Sequence, residues 1–158
     1  MAQSFIYQVS PMRVVFGTGT VAQLADELDR LGIARALVLA SRRQQAELGD
    51  LASLTGGRMA GVFDGAVVHT PVVVTERAMQ LVRELKPDGV VAIGAGAATG
   101  LSKAIALRTD LPQLIVPTSY AGSEMTPVLG ETAKLVYIYA SYTLLGMLYS
   151  GLSLPLNS

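Results

Sequence analysis

Val90-Val91-Ala92-Ile93-Gly94-Ala95-Gly96-Ala97-Ala98-Thr99-Gly100-Leu101-Ser102-Lys103 is the stretch that decides the fold. Four apolar residues in succession, without polar alternation, describe a strand covered on both faces, the environment of a parallel sheet. A glycine-rich turn follows at once, and then residues that carry a helix through Leu107. This is the context that a phosphate-binding loop requires. Gly94 and Gly96 allow the backbone to come close to a pyrophosphate, and the leading amides of Ala97, Ala98 and Thr99, with the helix dipole, favour its negative charge. Only backbone donors are essential, so alanine at 97 and 98 is compatible with binding. The same letters also describe a tight strand-to-helix turn whose glycines serve close packing.

Outward from this turn the alternation repeats. Arg13 to Phe16, Ala36 to Ala40, Met59 to Phe63 and Gln113 to Val116 have the length and apolar character of strands, and Phe5 to Val9 adds a further short one. Between them, Val21, Leu24, Ala25, Leu28 and Leu31 recur at helical spacing up to Gly32, with Thr20 placed to cap the helix. Gln44 to Leu54 reads as one helix stopped by Gly56-Gly57. A further helix runs from about Val73 to Leu85, with Thr75 and Glu76 starting its regular part and Lys86-Pro87-Asp88-Gly89 ending it. Strands and helices in strict alternation predict an α/β, Rossmann-like domain: a parallel sheet with helices on both faces.

A second candidate loop, Pro117-Thr118-Ser119-Tyr120-Ala121-Gly122-Ser123-Glu124-Met125-Thr126, leaves the C-terminal end of the Gln113–Val116 strand. Ligands of open α/β sheets bind at that edge, and the hydroxyls of Thr118, Ser119 and Ser123 suit phosphate and ribose oxygens. An ordinary hydroxyl-rich turn capping the next helix has the same composition. Ser123 as a nucleophile is rejected, because no His–Asp arrangement accompanies it. Ser41-Arg42-Arg43 ends the Ala36–Ala40 strand, where an arginine can accept the 2′-phosphate of NADP; a solvated loop is the alternative. His69, the sole histidine, stands before Thr70-Pro71 as a proton donor or as part of a strand-to-helix turn.

Composition narrows the classes. Twelve basic and twelve acidic residues cancel, so nothing drives the chain toward nucleic acid or an anionic membrane. The absence of cysteine excludes disulfides, thiolate metal sites and thiol nucleophiles from these residues. One histidine cannot build a multi-histidine metal site, and no metal ligand is assigned here. The N-terminus lacks the basic start and apolar run of a signal peptide, and a cytoplasmic location is expected. Leu135 to Leu156 carries no charge and is long enough to cross a bilayer. Ser141, Gly146, Ser150, Gly151, Ser153 and Pro155 dilute it, which disfavours a span.

Several longer stretches resemble the maleylacetate reductases of the iron-containing alcohol dehydrogenase superfamily. They are Arg13-Val14-Val15-Phe16-Gly17, Phe63-Asp64-Gly65-Ala66-Val67-Val68-His69-Thr70-Pro71, Thr99-Gly100-Leu101 with Lys103-Ala104-Ile105-Ala106, Leu107-Arg108-Thr109-Asp110-Leu111-Pro112-Gln113, and the hydroxyl-rich loop through Gly130-Glu131-Thr132. The resemblance covers nearly all of residues 5 to 132. It implies NADH- or NADPH-dependent reduction of the carbon–carbon double bond of maleylacetate to 3-oxoadipate, in the bacterial breakdown of aromatic and chloroaromatic compounds. It also implies a homodimer. It puts the pyrophosphate turn on Gly94, Ala95, Gly96 and Ala97, and a second cofactor loop on Thr118, Ser119 and Ser123. The metal-ligand and reactive positions belong to a C-terminal helical domain that these residues do not contain, so no catalytic residue is assigned within them.

The family's turn reads as three glycines followed by Ser-Thr-Thr-Gly, whereas positions 95, 97 and 98 are alanine here. A Cβ at Ala95 is a burden if that position needs positive φ or close ligand approach, and weakened cofactor affinity is the expectation. The chain is expected to divide into a dinucleotide-binding domain, residues 1–132, and a divergent apolar tail, residues 133–158. The alternatives to the reductase are a noncatalytic nucleotide-binding fragment and a related iron-type alcohol or glycerol dehydrogenase.

Overall fold

Residues 36–40, 89–94 and 113–117 lie side by side as strands without an exposed residue, and the rest of the fold is arranged around them. The computed structural model describes residues 12–119, 121–132, 138–139 and 145–150, the last two ranges by backbone alone. The strand expected over residues 5–9 lies outside them.

The elements run in the order β1 (Met12–Gly17), α1 (Leu24–Arg30), β2 (Ala36–Ala40), α2 (Arg42–Leu48), α3 (Leu51–Leu54), β3 (Met59–Phe63), α4 (Val72–Leu85), β4 (Gly89–Gly94), α5 (Gly96–Thr109), β5 (Gln113–Pro117), β6 (Val128–Leu129), β7 (Ile138–Tyr139) and β8 (Leu145–Ser150). Six strands form one sheet in the order β1-β8-β5-β4-β2-β3, and every pair in it is parallel. β6 and β7 form a separate antiparallel pair. The expected α/β architecture is thus observed. β8 comes from the uncharged stretch and extends as a strand between β1 and β5; no helix among the described residues is long and apolar enough to cross a membrane.

Helices cover both faces, and strand periodicity shows how. Leu37 and Leu39 of β2, Val90 and Ala92 of β4, and Ile115 of β5 meet Val74 and Ala78 of α4 and Ala98, Leu101 and Ile105 of α5. The intervening residues Ala36, Val38, Ala40, Val91, Ile93, Leu114 and Val116 meet Leu24 and Leu28 of α1 and Leu51 of α3 on the opposite face. A period of two thus divides continuous apolar runs between two cores.

Three local expectations are corrected. Thr20 does not cap α1; it opens a short 3₁₀ turn, Thr20–Gln23, and its hydroxyl donates to Gly17 O at 3.0 Å. The single helix expected over 44–54 is two. Gly49 takes φ 72° and breaks it, and the Asp50 carboxylate accepts from Ala52 N to start α3. α4 begins at Val72, so Thr75 lies inside it, buried, and its hydroxyl donates to Glu131 Oε1 at 2.8 Å.

β1 is fastened to α1 by a forked ion pair. Arg13 Nε donates to Glu27 Oε2 at 2.8 Å and Nη2 to Oε1 at 2.9 Å, and Arg30 Nε lies 3.6 Å from Oε2. The Arg13 hydrogen bonds hold the Glu27 carboxyl below its ordinary value, against the opposing effect of burial. A carboxyl so lowered adds stability above its unfolded pKa of roughly 4.3, and that stability is lost as pH falls through the folded value. Glu27→Gln is therefore expected to lower the urea midpoint near neutral pH, with the gap to the parent closing in acid below about pH 4. A gap of the same size at both pH values would contradict this role for the ionised pair.

Candidate functional site

The sheet changes winding direction between β2 and β4. From β2 the chain crosses by α2 and α3 to the edge strand β3, then returns by α4 to β4 on the other side of β2. Loops leaving the C-terminal ends of β2 and β4 consequently depart toward opposite faces and leave a crevice. The Ser41 and Gly94 turns are those loops.

At the end of β4, Gly94 takes φ 153°, a region that side chains disfavour, and a Cβ there would lie 3.0 Å from Ala98 Cβ and 3.7 Å from Gln44 Nε2. Ala95 has φ −82° and ψ −161°. That is ordinary extended backbone for an L-residue, so the strain expected of alanine at this position does not arise. α5 starts at Gly96, and the amides of Gly96, Ala97 and Ala98 precede its first internal bond. The Thr99 amide, expected among the open donors, instead donates to Ala95 O at 3.3 Å.

The second loop leaves the same rung of the sheet. Gly94 pairs with Pro117, and Thr118 N donates to Gly94 O at 3.0 Å. Ser119 is exposed, and Ser123 opens a 3₁₀ turn after Gly122, which takes φ 79°. The Ser123 hydroxyl accepts from Lys103 Nζ at 3.1 Å.

Beside both loops lies a cavity of about 320 Å³ whose lining includes Ala95, Gly96 and Ala97 from the turn, Ser123 from the second loop, Val128 at the start of β6, and His69. Gly94, Thr118 and Ser119 flank it without lining it. His69 and Thr70 both take positive φ, 63° and 41°. Thr132 fixes this pair, its hydroxyl donating to His69 O at 2.6 Å and its amide to the same oxygen at 3.2 Å. The backbone of His69 therefore orders the turn before α4, while the residue also lines the cavity. Thr70 is buried against α5, where a Cβ on Gly100 would stand 2.5 Å from Thr70 Oγ1. Only glycine lets this loop reach the helix.

Ser41 and Arg42 stand across the crevice. Ser41 is the N-cap of α2 in a capping box with Gln44. Gln44 N donates to Ser41 Oγ at 3.3 Å, Ser41 N donates to Gln44 Oε1 at 3.0 Å, and the two side chains are also hydrogen-bonded. Arg42 is exposed, and its Nε meets Asp64 Oδ2 at 3.0 Å.

Lys103 is the site residue that sequence reasoning missed. Its side chain is buried, and its ammonium donates to Ser123 O, Ser123 Oγ and Val128 O. Burial pushes its pKa down to about 8, with the nearby Glu124 carboxylate working in the opposite direction. The available signal was its position among small and apolar helix residues, which leaves a lysine no polar face.

The sequence model of the iron-containing alcohol dehydrogenases matches residues 11–142. The chain belongs to that family. Among curated proteins it is 52% identical over 130 residues to a maleylacetate reductase of Rhizobium sp. strain MTP-10005, covering 82% of this chain and 37% of that protein. A maleylacetate reductase of Sphingobium indicum is 48% identical over 128 residues, covering 81% of this chain and 36% of the relative. The crystal structure of maleylacetate reductase from Agrobacterium tumefaciens superposes with a TM-score of 0.83 at 44% identity, over 94% of this chain and 43% of that one. This member of the iron-containing alcohol dehydrogenases thus spans little more than a third of the length of its curated relatives.

The family's name implies iron. Among the described residues there is no group of three or more His, Cys, Asp or Glu that could hold a metal ion, and His69 has no such companions. These residues do not fit a metal. They do fit a dinucleotide diphosphate, through a strand-to-helix turn that opens on Gly94, where a side chain is disfavoured, and a 14-residue helix whose first amides lie beside a cavity.

Proposed function

We propose that these residues form the dinucleotide-binding part of a cytoplasmic, homodimeric maleylacetate reductase, which uses NADH or NADPH to reduce maleylacetate to 3-oxoadipate. The observation that carries the reading is the Gly94–Ala97 turn, which leaves β4 at the point where the sheet reverses its winding and opens α5 beside a cavity lined also by His69 and Ser123. The names of the relatives at 52% and 48% identity favour this substrate over an alcohol or glycerol.

In this reading the amides of Gly96, Ala97 and Ala98 hold the diphosphate, and the end of β4 brings them to it without an intervening side chain. Ser123 accepts from Lys103, so its own proton is available to a ribose or phosphate oxygen. Thr118 and Ser119 flank that contact. When bound, the nicotinamide supplies the hydride, and the residues described here contribute its orientation. Ser41 and Arg42, across the crevice, lie where the adenosine ribose is received, and Arg42 exchanges Asp64 for the 2′-phosphate of NADPH.

Calorimetric titration of the folded chain with NADH and with NADPH tests the reading. Saturable binding of at least one is expected, and binding of neither would overturn it. Arg42→Ala is expected to weaken NADPH about ten-fold, the scale of a charge-assisted hydrogen bond, and to leave NADH unchanged. Equal effects on the two would remove Arg42 from coenzyme selection. Loss of reduced-nicotinamide absorbance on adding maleylacetate tests the substrate.

A further inference from the structure

Ala98 to Ala106 of α5 is buried at every position, and Lys103 is the one charged residue in that run. A buried ammonium must be met by acceptors. Here its three bonds go to one short segment, from the second loop to the start of β6: to Ser123 O, to Ser123 Oγ at 3.1 Å and to Val128 O at 3.0 Å, which matches the three donors that an ammonium has. Ser123 and Val128 both line the cavity, opposite residues of the α5 N-terminus. Glu124 is the charged group that this loop presents to Lys103, and its carboxylate accepts from Gly122 N at 3.2 Å. The other nearby cation of the helix, Arg108, is engaged with Glu131 at 3.0 Å. Lys103 therefore draws two points five residues apart onto a single atom of the helix that begins with the phosphate-binding turn.

We propose that Lys103 is a positioning residue which, by gathering Ser123 and Val128 onto α5, sets the wall of the cavity against which the dinucleotide is held. The proposal rests on the reading above that this cavity takes a dinucleotide. It assigns Lys103 no contact with the ligand.

The test uses the whole chain and Lys103→Met, which keeps the length of the side chain and removes the donors. Amide hydrogen exchange without ligand is expected to accelerate about ten-fold or more over residues 121–130, with α4 and the central strands unchanged. NADH affinity in calorimetry is expected to fall by a similar factor. Lys103→Gln, which retains two donors without the charge, is expected to restore part of both, and it replaces the methionine variant if that one does not fold. Unchanged loop exchange would overturn the proposal. So would uniform acceleration across the fold, the mark of a merely structural residue, or faster loop exchange with full NADH affinity. Failure of the unaltered chain to bind NADH sinks the functional reading instead, and with it the ligand half of this proposal, while loop exchange still decides whether Lys103 holds the wall.

Discussion

Gly94→Ala is expected to weaken dinucleotide binding by ten-fold or more while the chain stays folded. The reason is local. At φ 153° the backbone occupies a region that an L-residue enters at a cost of about 1–3 kcal/mol, and the new methyl would meet Ala98 Cβ at 3.0 Å. Ala98 belongs to the first turn of α5, so either that turn shifts or Gly94 rotates. Both movements displace the amides of Gly96 and Ala97 from the position proposed to hold a diphosphate. A loss of about 1.4 kcal/mol in binding is already ten-fold. Calorimetry with NADH beside a thermal melt separates the effects, and unaltered affinity in a folded variant would show that the turn does not depend on this glycine.

Leu101→Ala is expected to have the largest effect on stability. Leu101 is fully buried and packs in the core formed by Leu37, Leu39, Val90, Ala92, Ile105 and Ile115. Removing such a side chain costs about 2–5 kcal/mol, because the cavity left behind closes only in part. In a domain of this size each 1 kcal/mol lowers the melting temperature by roughly 2–4 °C. Urea unfolding with an unchanged slope checks the origin of the loss. A decrease below about 1 kcal/mol would mean that α5 is not gripped by the sheet as described.

The parts of this fold that were legible in the sequence are those where a single physical rule acts alone. β2, β4 and β5 are apolar at every position because both faces are covered, and that pattern survives any choice of helix packing. The turn at Gly94 was legible because a strand, two glycines and a helix succeed one another without interruption. Reading failed where two rules compete. Leu48, Leu51 and Leu54 keep a helical spacing across Gly49, which hid the break that Gly49 and the Asp50 cap impose. Ser41-Arg42-Arg43-Gln44 also spells a capping box, a local role that the expectation of a ligand contact left out, and the structure shows that box formed. The apolar setting of Lys103 was in the sequence but its partners were not, because they are mainly main-chain carbonyls 20 and 25 residues away, and carbonyls leave no trace in a sequence. The positive φ of His69 and Thr70 was hidden for the same reason, since Thr132, 63 residues from His69, fixes the pair.

The pairing of Gly94 with Pro117, continued by the bond from Thr118 N to Gly94 O, has a consequence for how such a protein can vary. The two loops spring from adjacent strands, so their roots stand at the inter-strand distance of about 4.8 Å, dictated by main-chain geometry. Mutational drift along either loop can change the chemical character of the rim, trading hydroxyl for methyl as at Ala97, without moving the strand ends from which the loops depart. The chassis is thereby insulated from experiments in its own upholstery.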